Sequence, residues 1–231
     1  MMIPRTVTSV AVVIPARDPG PYLDETLQTL FDQTLKPTEI MVVDDGSRDD
    51  TVSVSVARFP GVGLLRQEPL GRGHARNRGA SATSAEYLLF LDADDLLRPN
   101  SLELMAAVLD DQPGVDMVVG RTIEFADTAH PPQQGARATE QVVRVRLLGA
   151  SLMRRSLWDR VGTFDTSLAS REAIDWMHRA GLAGAAQFEL DDIVLERRLH
   201  GWNRTTVLKD EASFMAVARA AIGRKRGVQP Q

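Results

Sequence analysis

Apolar residues in the first half of the chain alternate between two periodicities. Val10 to Ile14 form a continuous run rich in β-branched residues, which is typical of a strand covered on both faces. Leu23, Leu27 and Leu30 then recur at helical spacing behind Pro21, a residue favoured near the start of a helix. Strands that alternate with helices predict right-handed crossovers and a parallel sheet. Further strands are predicted at residues 39–43, 62–65 and 85–91, and a further helix at residues 98–109.

The segment TVSVSVARF, residues 51–59, gives two conflicting signals. Val52, Val54 and Val56 alternate strictly, which locally favours a strand. The position of the segment between two predicted strands favours a crossover helix. We predict a helix, because tertiary context often overrides local propensity.

The second half of the chain has weaker patterns. Residues 126–141 contain two prolines and few large apolar side chains, so we expect an exposed loop. The segment VVRVRLLGASLM, residues 142–153, predicts one strand. Two amphipathic helices are predicted at residues 171–182 and 209–227. Without internal repeats, the pattern predicts a single α/β domain of residues 1–231, with a sheet half (about 8–105), a second half (about 106–206) and a C-terminal helix and tail (207–231).

Composition and charge narrow the class of protein. Of the 231 residues, 43% are hydrophobic and 25% charged, as in an ordinary globular protein. The formal net charge of −4 argues against nucleic acid as a partner, and the absence of cysteine excludes disulfides and thiolate metal sites. No apolar run approaches the roughly 18 residues that span a bilayer, and the first apolar stretch resembles a strand more than a signal peptide. We therefore expect a cytoplasmic protein.

Aspartates follow two of the predicted strands. Asp44 and Asp45 come at the end of one strand, and Asp92, Asp94 and Asp95 follow another. In an open parallel sheet, ligands bind beyond the carboxyl ends of the strands, so we expect both groups at one edge. Hard oxygen ligands of this kind suit Mg²⁺ or Mn²⁺ held partly by the phosphates of a ligand. The alternative is that these aspartates cap the helix after Pro99 and face solvent.

Four motifs in order decide between these alternatives. VVIPARD, EIMVVDDGSRDDT, GRGHARNRGA and AEYLLFLDADD together resemble the nucleotide-binding half of family-two glycosyltransferases. The resemblance implies the GT-A fold, a Rossmann-like α/β domain with a mostly parallel central sheet flanked by helices and a smaller acceptor-side part. It also implies a nucleotide-sugar donor, with Asp92 at the ribose and Asp94 at a divalent metal ion. The residues that it places around the base and ribose are Pro15, Ala16, Arg17, Asp44 and Asp45.

The implied chemistry needs positive charge near the aspartates. A sugar nucleotide leaves as a diphosphate, and a divalent cation stabilises the developing negative charge as a Lewis acid. Carboxylates alone would repel a diphosphate, so the acidic cluster requires a metal ion between them, Mn²⁺ or Mg²⁺. Arg72 and Arg76 share one face if LGRGHARNRG is helical, and Arg76, inside the ARNRG match, is the predicted ligand contact. The alternative for this segment is a solvated basic helix face.

An inverting transfer needs a base that deprotonates the acceptor hydroxyl. The family places it at a Glu-Asp pair after a G-x-F-D stretch; here Glu172 matches the glutamate, but Ala173 stands where the aspartate is expected. Glu172 and Asp175 share a helix face and are the candidate catalytic residues. In the alternative interpretation Glu172 caps the helix, Asp175 pairs with Arg179, and Trp176 belongs to the core.

Near the end of the matched region, VLERRLHGWNRTT resembles the strand and loop that carry a late histidine in related enzymes. His200 is the candidate second metal ligand. Arg197 and Arg198 are candidate diphosphate contacts, and we expect only one to take part because alternate strand residues face opposite sides. The predicted C-terminal helix has an apolar stripe and a basic end, which suits docking on the domain, homodimer formation or peripheral membrane contact.

The sequence therefore predicts an inverting, metal-dependent transferase that uses a nucleotide-sugar donor, with a uridine nucleotide favoured by the resemblance alone. The acceptor, whether a sugar, a lipid-linked molecule or another small molecule, is not specified by any motif. One alternative is a non-catalytic relative that binds a sugar nucleotide or carbohydrate, which Ala173 motivates. Another is a nucleotidyltransferase, but PARDPGPY is not the glycine-rich basic loop that such an enzyme carries after its first strand.

Overall fold

A computed structural model of the protein describes residues 8–130, 141–143, 147–168 and 171–201. The first half alternates strands and helices as predicted. Its strands are β1 (Val10–Ala16), β2 (Glu39–Asp45), β3 (Val62–Gln67) and β4 (Tyr87–Phe90), followed by the two-residue β5 (Leu96–Leu97). Its helices are α1 (Tyr22–Phe31), α2 (Thr51–Ala57), α3 (Arg72–Ser81) and α4 (Ser101–Asp111).

The second half contributes longer strands and two helices. Its strands are β6 (Met117–Ala126), β7 (Gln141–Val143), β8 (Ser151–Arg154) and β9 (Gln187–Leu199). Its helices are α5 (Arg155–Val161) and α6 (Glu172–Leu182), with 3₁₀ turns at Leu148–Ala150 and Thr166–Leu168.

All described strands belong to one sheet, in the order β3-β2-β1-β4-β8-β6-β9-β5, with β7 paired to β6. Strands β3, β2, β1 and β4 are mutually parallel. Strand β8 is antiparallel to both β4 and β6, and β9 is parallel to β6. Two antiparallel steps restore the original direction, so β6 and β9 run the same way as β1 and β4.

Helices cover both faces of the sheet and form two apolar layers. On one face, Val10, Val12 and Ile14 of β1 pack with Leu23 and Leu27 of α1. On the other face, Ala11 and Val13 belong to a second layer that includes four aromatic residues, one from β4 and three from the second half. The continuous apolar run of β1 is thus buried on both faces, as its sequence indicates. The members of that aromatic group are Phe90, Trp158, Phe164 and Trp176.

Two segments test the ambiguous predictions. Residues 51–57 form the helix α2, so the helical prediction is confirmed despite the alternating valines. The single strand predicted at residues 142–153 is wrong: β7 ends at Val143, and a 3₁₀ turn precedes β8. Leu148, Gly149 and Ala150 are buried consecutively, which an extended strand with one open face does not allow.

The predicted loop at residues 126–141 begins with the last residue of β6, and its central part lies outside the described residues. The predicted C-terminal helix at residues 209–227 lies outside them altogether. Among the described helices, none combines the length and the apolar character needed to cross a bilayer.

Candidate functional site

The carboxyl ends of five parallel strands meet at one edge of the sheet. Strands β1, β2 and β4 deliver Arg17, Asp45 and the acidic loop Asp92–Asp95 to this edge. Strands β6 and β9 share their direction and deliver Asp127 and His200 to the same edge. The topology therefore explains how residue 200 reaches a loop that follows a strand more than a hundred positions earlier in the chain.

A cleft lies at this edge of the sheet. Its walls include two further side chains from the loop and helix after β1, Asp18 and Tyr22, together with Arg72 and Arg197. Asp44, Arg76, Glu172 and Asp175 are not part of its lining. The predicted site residues that line it are Pro15, Ala16, Arg17, Asp45, Asp92, Asp94 and His200.

Asp44 and Asp45 have different local tasks. The Asp45 carboxylate accepts hydrogen bonds from the backbone N–H groups of Leu70 (2.9 Å) and Gly71 (2.9 and 3.0 Å) and from the Gln67 amide (2.8 Å). It thereby fixes the loop that leads into α3. Asp44 accepts a hydrogen bond from the backbone N–H of Ser47 at 2.9 Å and so stabilises the loop after β2.

The acidic loop concentrates negative charge. Carboxylate oxygens of Asp92, Asp94 and Asp95 lie within 4.8 Å of one another. Burial, together with the charges of Asp94 and Asp92, raises the pKa of Asp95 well above its usual value. Burial also raises the pKa of Asp92, but the attraction of Arg76 and Arg72 outweighs it and leaves that pKa lowered. None of the three aspartates caps α4, whose N-cap residue is Asn100.

His200 is close to the centre of this loop. Its Nε2 atom lies 2.8 Å from Asp94 Oδ2, and only 5% of the residue is exposed. The neighbouring residue Arg198 anchors β9 to the loop, because its backbone N–H donates to Asp95 Oδ1 at 3.1 Å and its guanidinium donates to the Asp94 carbonyl at 3.2 Å. The three carboxylates could together hold a divalent ion such as Mn²⁺ or Mg²⁺, and the His200 imidazole lies beside one of them, Asp94.

The two arginines near the end of β9, Arg197 and Arg198, separate as strand alternation predicts. Arg197 lines the cleft and donates a hydrogen bond to Glu124 Oε1 at 2.7 Å. Arg198 is buried against the rings of Tyr22 and Phe125, with its guanidinium carbon 4.7 and 4.9 Å from the ring centroids. Of these two arginines, only Arg197 can therefore present its charge to a ligand in the cleft.

Arg76 lies behind the cleft rather than in its wall. It is 3% exposed, and it donates to Asp92 Oδ1 at 2.7 Å and to Glu172 Oε1 at 2.6 Å. Arg72, one helical turn earlier, lines the cleft and lies 3.8 Å from both carboxylates. The two arginines share a helix face, as their spacing predicts, but it is Arg72 that is open to a ligand.

Asp175, one of the two candidate bases, is paired within its own helix. Asp175 is fully buried and accepts a hydrogen bond from Arg179 Nε at 2.8 Å, and Arg179 also donates to the carbonyls of Val161 and Thr163. This is the intrahelical pair that the spacing allows. Trp176 is fully buried and donates to the Gly162 carbonyl at 2.8 Å, so the core interpretation of this residue is confirmed.

Two polar residues of the cleft, Asp18 and Tyr22, were not predicted as site residues from the sequence. Asp18 connects the loops after β1 and β2, because the backbone N–H and Nε of Arg48 donate to its carboxylate at 2.9 and 3.0 Å. The signal that could have identified both is positional: they follow β1 directly, and segments that follow parallel strands gather at one edge.

Comparison with known families assigns the chain. The model of the family described as glycosyl transferase family 2 matches residues 11–173, well over half of the sequence. The chain belongs to this family. The resemblance inferred from the four motifs is therefore confirmed.

Individual relatives come from several bacteria. An uncharacterized glycosyltransferase of Rickettsia prowazekii is 26% identical over 209 residues, which are 85% of this chain and 65% of that protein. The poly(ribitol-phosphate) beta-N-acetylglucosaminyltransferase TarP of Staphylococcus aureus is 35% identical over 100 residues, 41% of this chain and 31% of that protein. The chain thus spans less than two thirds of the length of these relatives.

Solved structures of other proteins share the fold of this chain. The crystal structure of S. aureus TarS 1-349 in complex with UDP-GlcNAc superposes with a TM-score of 0.72 at 20% identity, covering 92% of this chain and 65% of that one. The complex of the same protein with UDP gives a TM-score of 0.70 at 21% identity, covering 92% and 64%. The predicted GT-A fold is confirmed by this likeness.

Proposed function

We propose that this family 2 chain is an inverting, metal-dependent glycosyltransferase that moves a sugar from a nucleoside-diphosphate sugar to an acceptor hydroxyl. The observation that carries the proposal is the convergence of Asp92, Asp94, Asp95 and His200 in a cleft at the carboxyl edge of the sheet. The position agrees with the general rule that open α/β sheets bind ligands beyond the carboxyl ends of their strands.

The donor that we propose is a UDP-sugar. TarS, which has the same fold, is described in complexes with UDP and with UDP-GlcNAc. In this chain the loop after β1 lines the cleft next to Asp45, and we assign these residues to the base and ribose. Asp92 keeps 37% of its side chain exposed toward the cleft, and we assign it to the ribose. The assigned residues are Pro15 and Ala16 at the end of β1 and Arg17 directly after it, while Asp44 supports the neighbouring loop after β2.

The residues present fit a divalent cation. A bound cation would relieve the repulsion that raises the pKa of Asp95, and hard carboxylate oxygens with one imidazole suit Mn²⁺ or Mg²⁺. Asp94 and His200 would hold it. When bound, such an ion stabilises the charge that develops on a departing diphosphate.

Two arginines complement the proposed metal site. Arg72 and Arg197 line the cleft, and each has a carboxylate partner that limits its motion. We propose that they approach the diphosphate. Arg76 acts one step behind, because its hydrogen bond orients Asp92 and burial keeps it from contacting a ligand directly.

For the general base we propose Glu172 rather than Asp175. Arg76 and Arg72 both contact the Oε1 atom of Glu172, so we assign the acceptor proton to Oε2. Asp175 is fully buried and is paired with Arg179 of its own helix, whereas Glu172, itself only 2% exposed, lies 3.8 Å from Arg72 of the cleft wall. Asp175 is therefore assigned a structural role.

Turnover of the donor tests this proposal. The rate of UDP release from UDP-sugars with Mn²⁺ should fall by about 10²-fold or more in kcat for Glu172→Gln, with KM little changed. Asp175→Asn is the matched control, since it also neutralises a buried carboxylate of α6 that is paired with arginine. It should lower the melting temperature and leave the kcat of the folded fraction close to that of the parent.

The alternative is a chain that binds the donor without transferring the sugar. Ala173 at the expected position of the base and the burial of Glu172 favour this alternative. Binding of UDP-sugars with no UDP release from any donor would support it. If the parent releases UDP and Glu172→Gln releases it at the same rate, the chain is a transferase but Glu172 is not its base.

A further inference from the structure

Tyr22 is the first residue of α1 and lines the cleft. Its ring is stacked on the His200 imidazole, with centroids 4.8 Å apart and an interplanar angle of 29°. The Arg198 guanidinium lies 4.7 Å from the centroid of the same ring. The residue is 4% exposed, so its ring is packed between other side chains rather than free to turn into solvent.

The hydroxyl end of Tyr22 is fixed as firmly as its ring. It donates a short hydrogen bond to the carboxylate of Asp127, the first residue after β6, and lies 3.3 Å from His130 Nδ1. Asp127 is itself held, because it accepts the backbone N–H of Ala129 at 2.9 Å and its own N–H donates to the Leu199 carbonyl at 2.9 Å. Burial and the Asp127 hydrogen bond raise the pKa of Tyr22, so the phenol stays protonated as the donor.

These contacts form a chain from β6 to the acidic loop. Asp127 orients Tyr22 through its hydroxyl, the Tyr22 ring supports the face of His200, and His200 Nε2 lies 2.8 Å from Asp94. An imidazole that ligates a metal ion requires a fixed ring plane, and groups outside the ligand shell usually supply it. Here a stacked phenol performs that task.

We propose that Tyr22, held by Asp127, is a positioning residue that sets the ring orientation of His200 toward a divalent cation shared with a nucleoside diphosphate. This inference rests on the proposed function, since it assumes the metal site of Asp94 and His200. It assigns a task to two residues, Tyr22 and Asp127, that belong to none of the four motifs.

The chain contains a matched control for this arrangement. Tyr87, at the amino end of β4, is 1% exposed and donates a hydrogen bond to Asp110 at 2.6 Å. The Arg154 guanidinium lies 5.5 Å from its ring centroid. Tyr87 therefore has the same burial, the same type of acceptor and the same arginine contact as Tyr22, but it lies at the opposite edge of the sheet.

The experiment compares Tyr22→Phe with Tyr87→Phe in the full chain. Each variant loses one buried hydroxyl bond, so both should lower the melting temperature by a similar amount. The affinity for UDP is then measured by isothermal titration calorimetry with and without Mn²⁺. Tyr22→Phe should weaken the Mn²⁺-dependent part of UDP binding by about three- to tenfold, and Tyr87→Phe should leave it unchanged.

A second background separates positioning from a general loss of packing. In a His200→Ala protein the ring that Tyr22 supports is absent, so adding Tyr22→Phe should cause no further loss of Mn²⁺-dependent affinity. Two results would overturn this inference and leave the proposed function standing. One is an equal Mn²⁺-dependent UDP affinity for Tyr22→Phe and Tyr87→Phe. The other is an undiminished effect of Tyr22→Phe in the His200→Ala background. A parent protein that binds no UDP with Mn²⁺ would overturn the proposed function and this inference together.

Discussion

Three aspartates in or near the cleft, Asp92, Asp95 and Asp127, show how neighbouring groups set the pKa of a carboxylate. Arginines lower the pKa of Asp92 against the effect of burial, whereas burial and the neighbouring carboxylates together raise the pKa of Asp95. The hydrogen bond from Tyr22 lowers the pKa of Asp127 to about 2. Residue type alone therefore does not fix the ionisation of these aspartates, because each one depends on partners that are distant in the sequence.

The lowered pKa of Asp127 makes a specific prediction for acid stability. Its pKa is lower in the folded state than in the unfolded state, so the stabilisation is complete above about pH 4 and is lost as the pH falls toward 2. The contribution is at most about 2 kcal/mol. The free energy of unfolding of Asp127→Asn, measured with urea, should lie below that of the parent at pH 7 and approach it by pH 3.

The exposed Asp192 provides a control for this measurement. Asp192→Asn should follow the parent at every pH. A constant difference between the parent and Asp127→Asn from pH 7 to pH 3 would contradict the assigned role of the Tyr22 hydrogen bond.

Motifs identified most of the predicted residues that line the cleft, and contacts between distant segments determined the rest of the site. Asp94, Asp92 and the first loop were predicted because short patterns carry them. The pairing of Arg76 with Glu172 joins residues 96 positions apart, and no local pattern indicates it. For the same reason the sequence could not distinguish Arg72, which faces the cleft, from Arg76, which lies behind it.

At the scale of elements, α3 packs directly on the sheet through Gly79. A Cβ atom at this position would overlap with Val13 Cγ1 and lie 3.1 Å from Val43 Cγ2. The side chains of β1 and β2 thus require a glycine on the inner face of the helix. This close approach also helps to place Arg72 in the cleft wall and Arg76 behind it.

Gly79→Ala should therefore destabilise the protein, by about 1–3 kcal/mol, because it overpacks the interface between α3 and β1. Gly181→Ala is the matched control in another helix, since a Cβ there meets nothing within 4 Å. That variant should unfold at the same urea concentration as the parent or at a higher one, because alanine favours the helix. Equal destabilisation of the two variants would contradict the described packing.

Elements with one clear environment were predictable, and those with a mixed environment were not. The strands β1 and β4 bury both faces and were predicted from their apolar runs. In residues 142–153, Gly149 packs against Leu195 of β9, whose Cδ2 atom would lie 3.2 Å from an added Cβ. This contact joins segments that are distant in the sequence, and no property of residues 142–153 alone reveals it.

For the molecule as a whole, strand direction determines which residues form the site. The antiparallel β8 stands between β4 and β6 and makes β6 and β9 parallel to the first four strands. Asp127 and His200 consequently reach the same edge as Asp45 and Asp94. The sequence predicted the parallel half of the sheet, but the place of β8 in the strand order could not be derived from periodicity.

The most direct test of the central claim measures whether Asp94 couples a metal ion to a nucleoside diphosphate. UDP at about 100 times its Kd with Mn²⁺ should raise the melting temperature of the parent by about 5–10 °C, and by clearly less without Mn²⁺. In Asp94→Ala the shifts with and without Mn²⁺ should be equal, whereas Asp192→Ala should behave as the parent. A full Mn²⁺-dependent shift in Asp94→Ala would contradict the account.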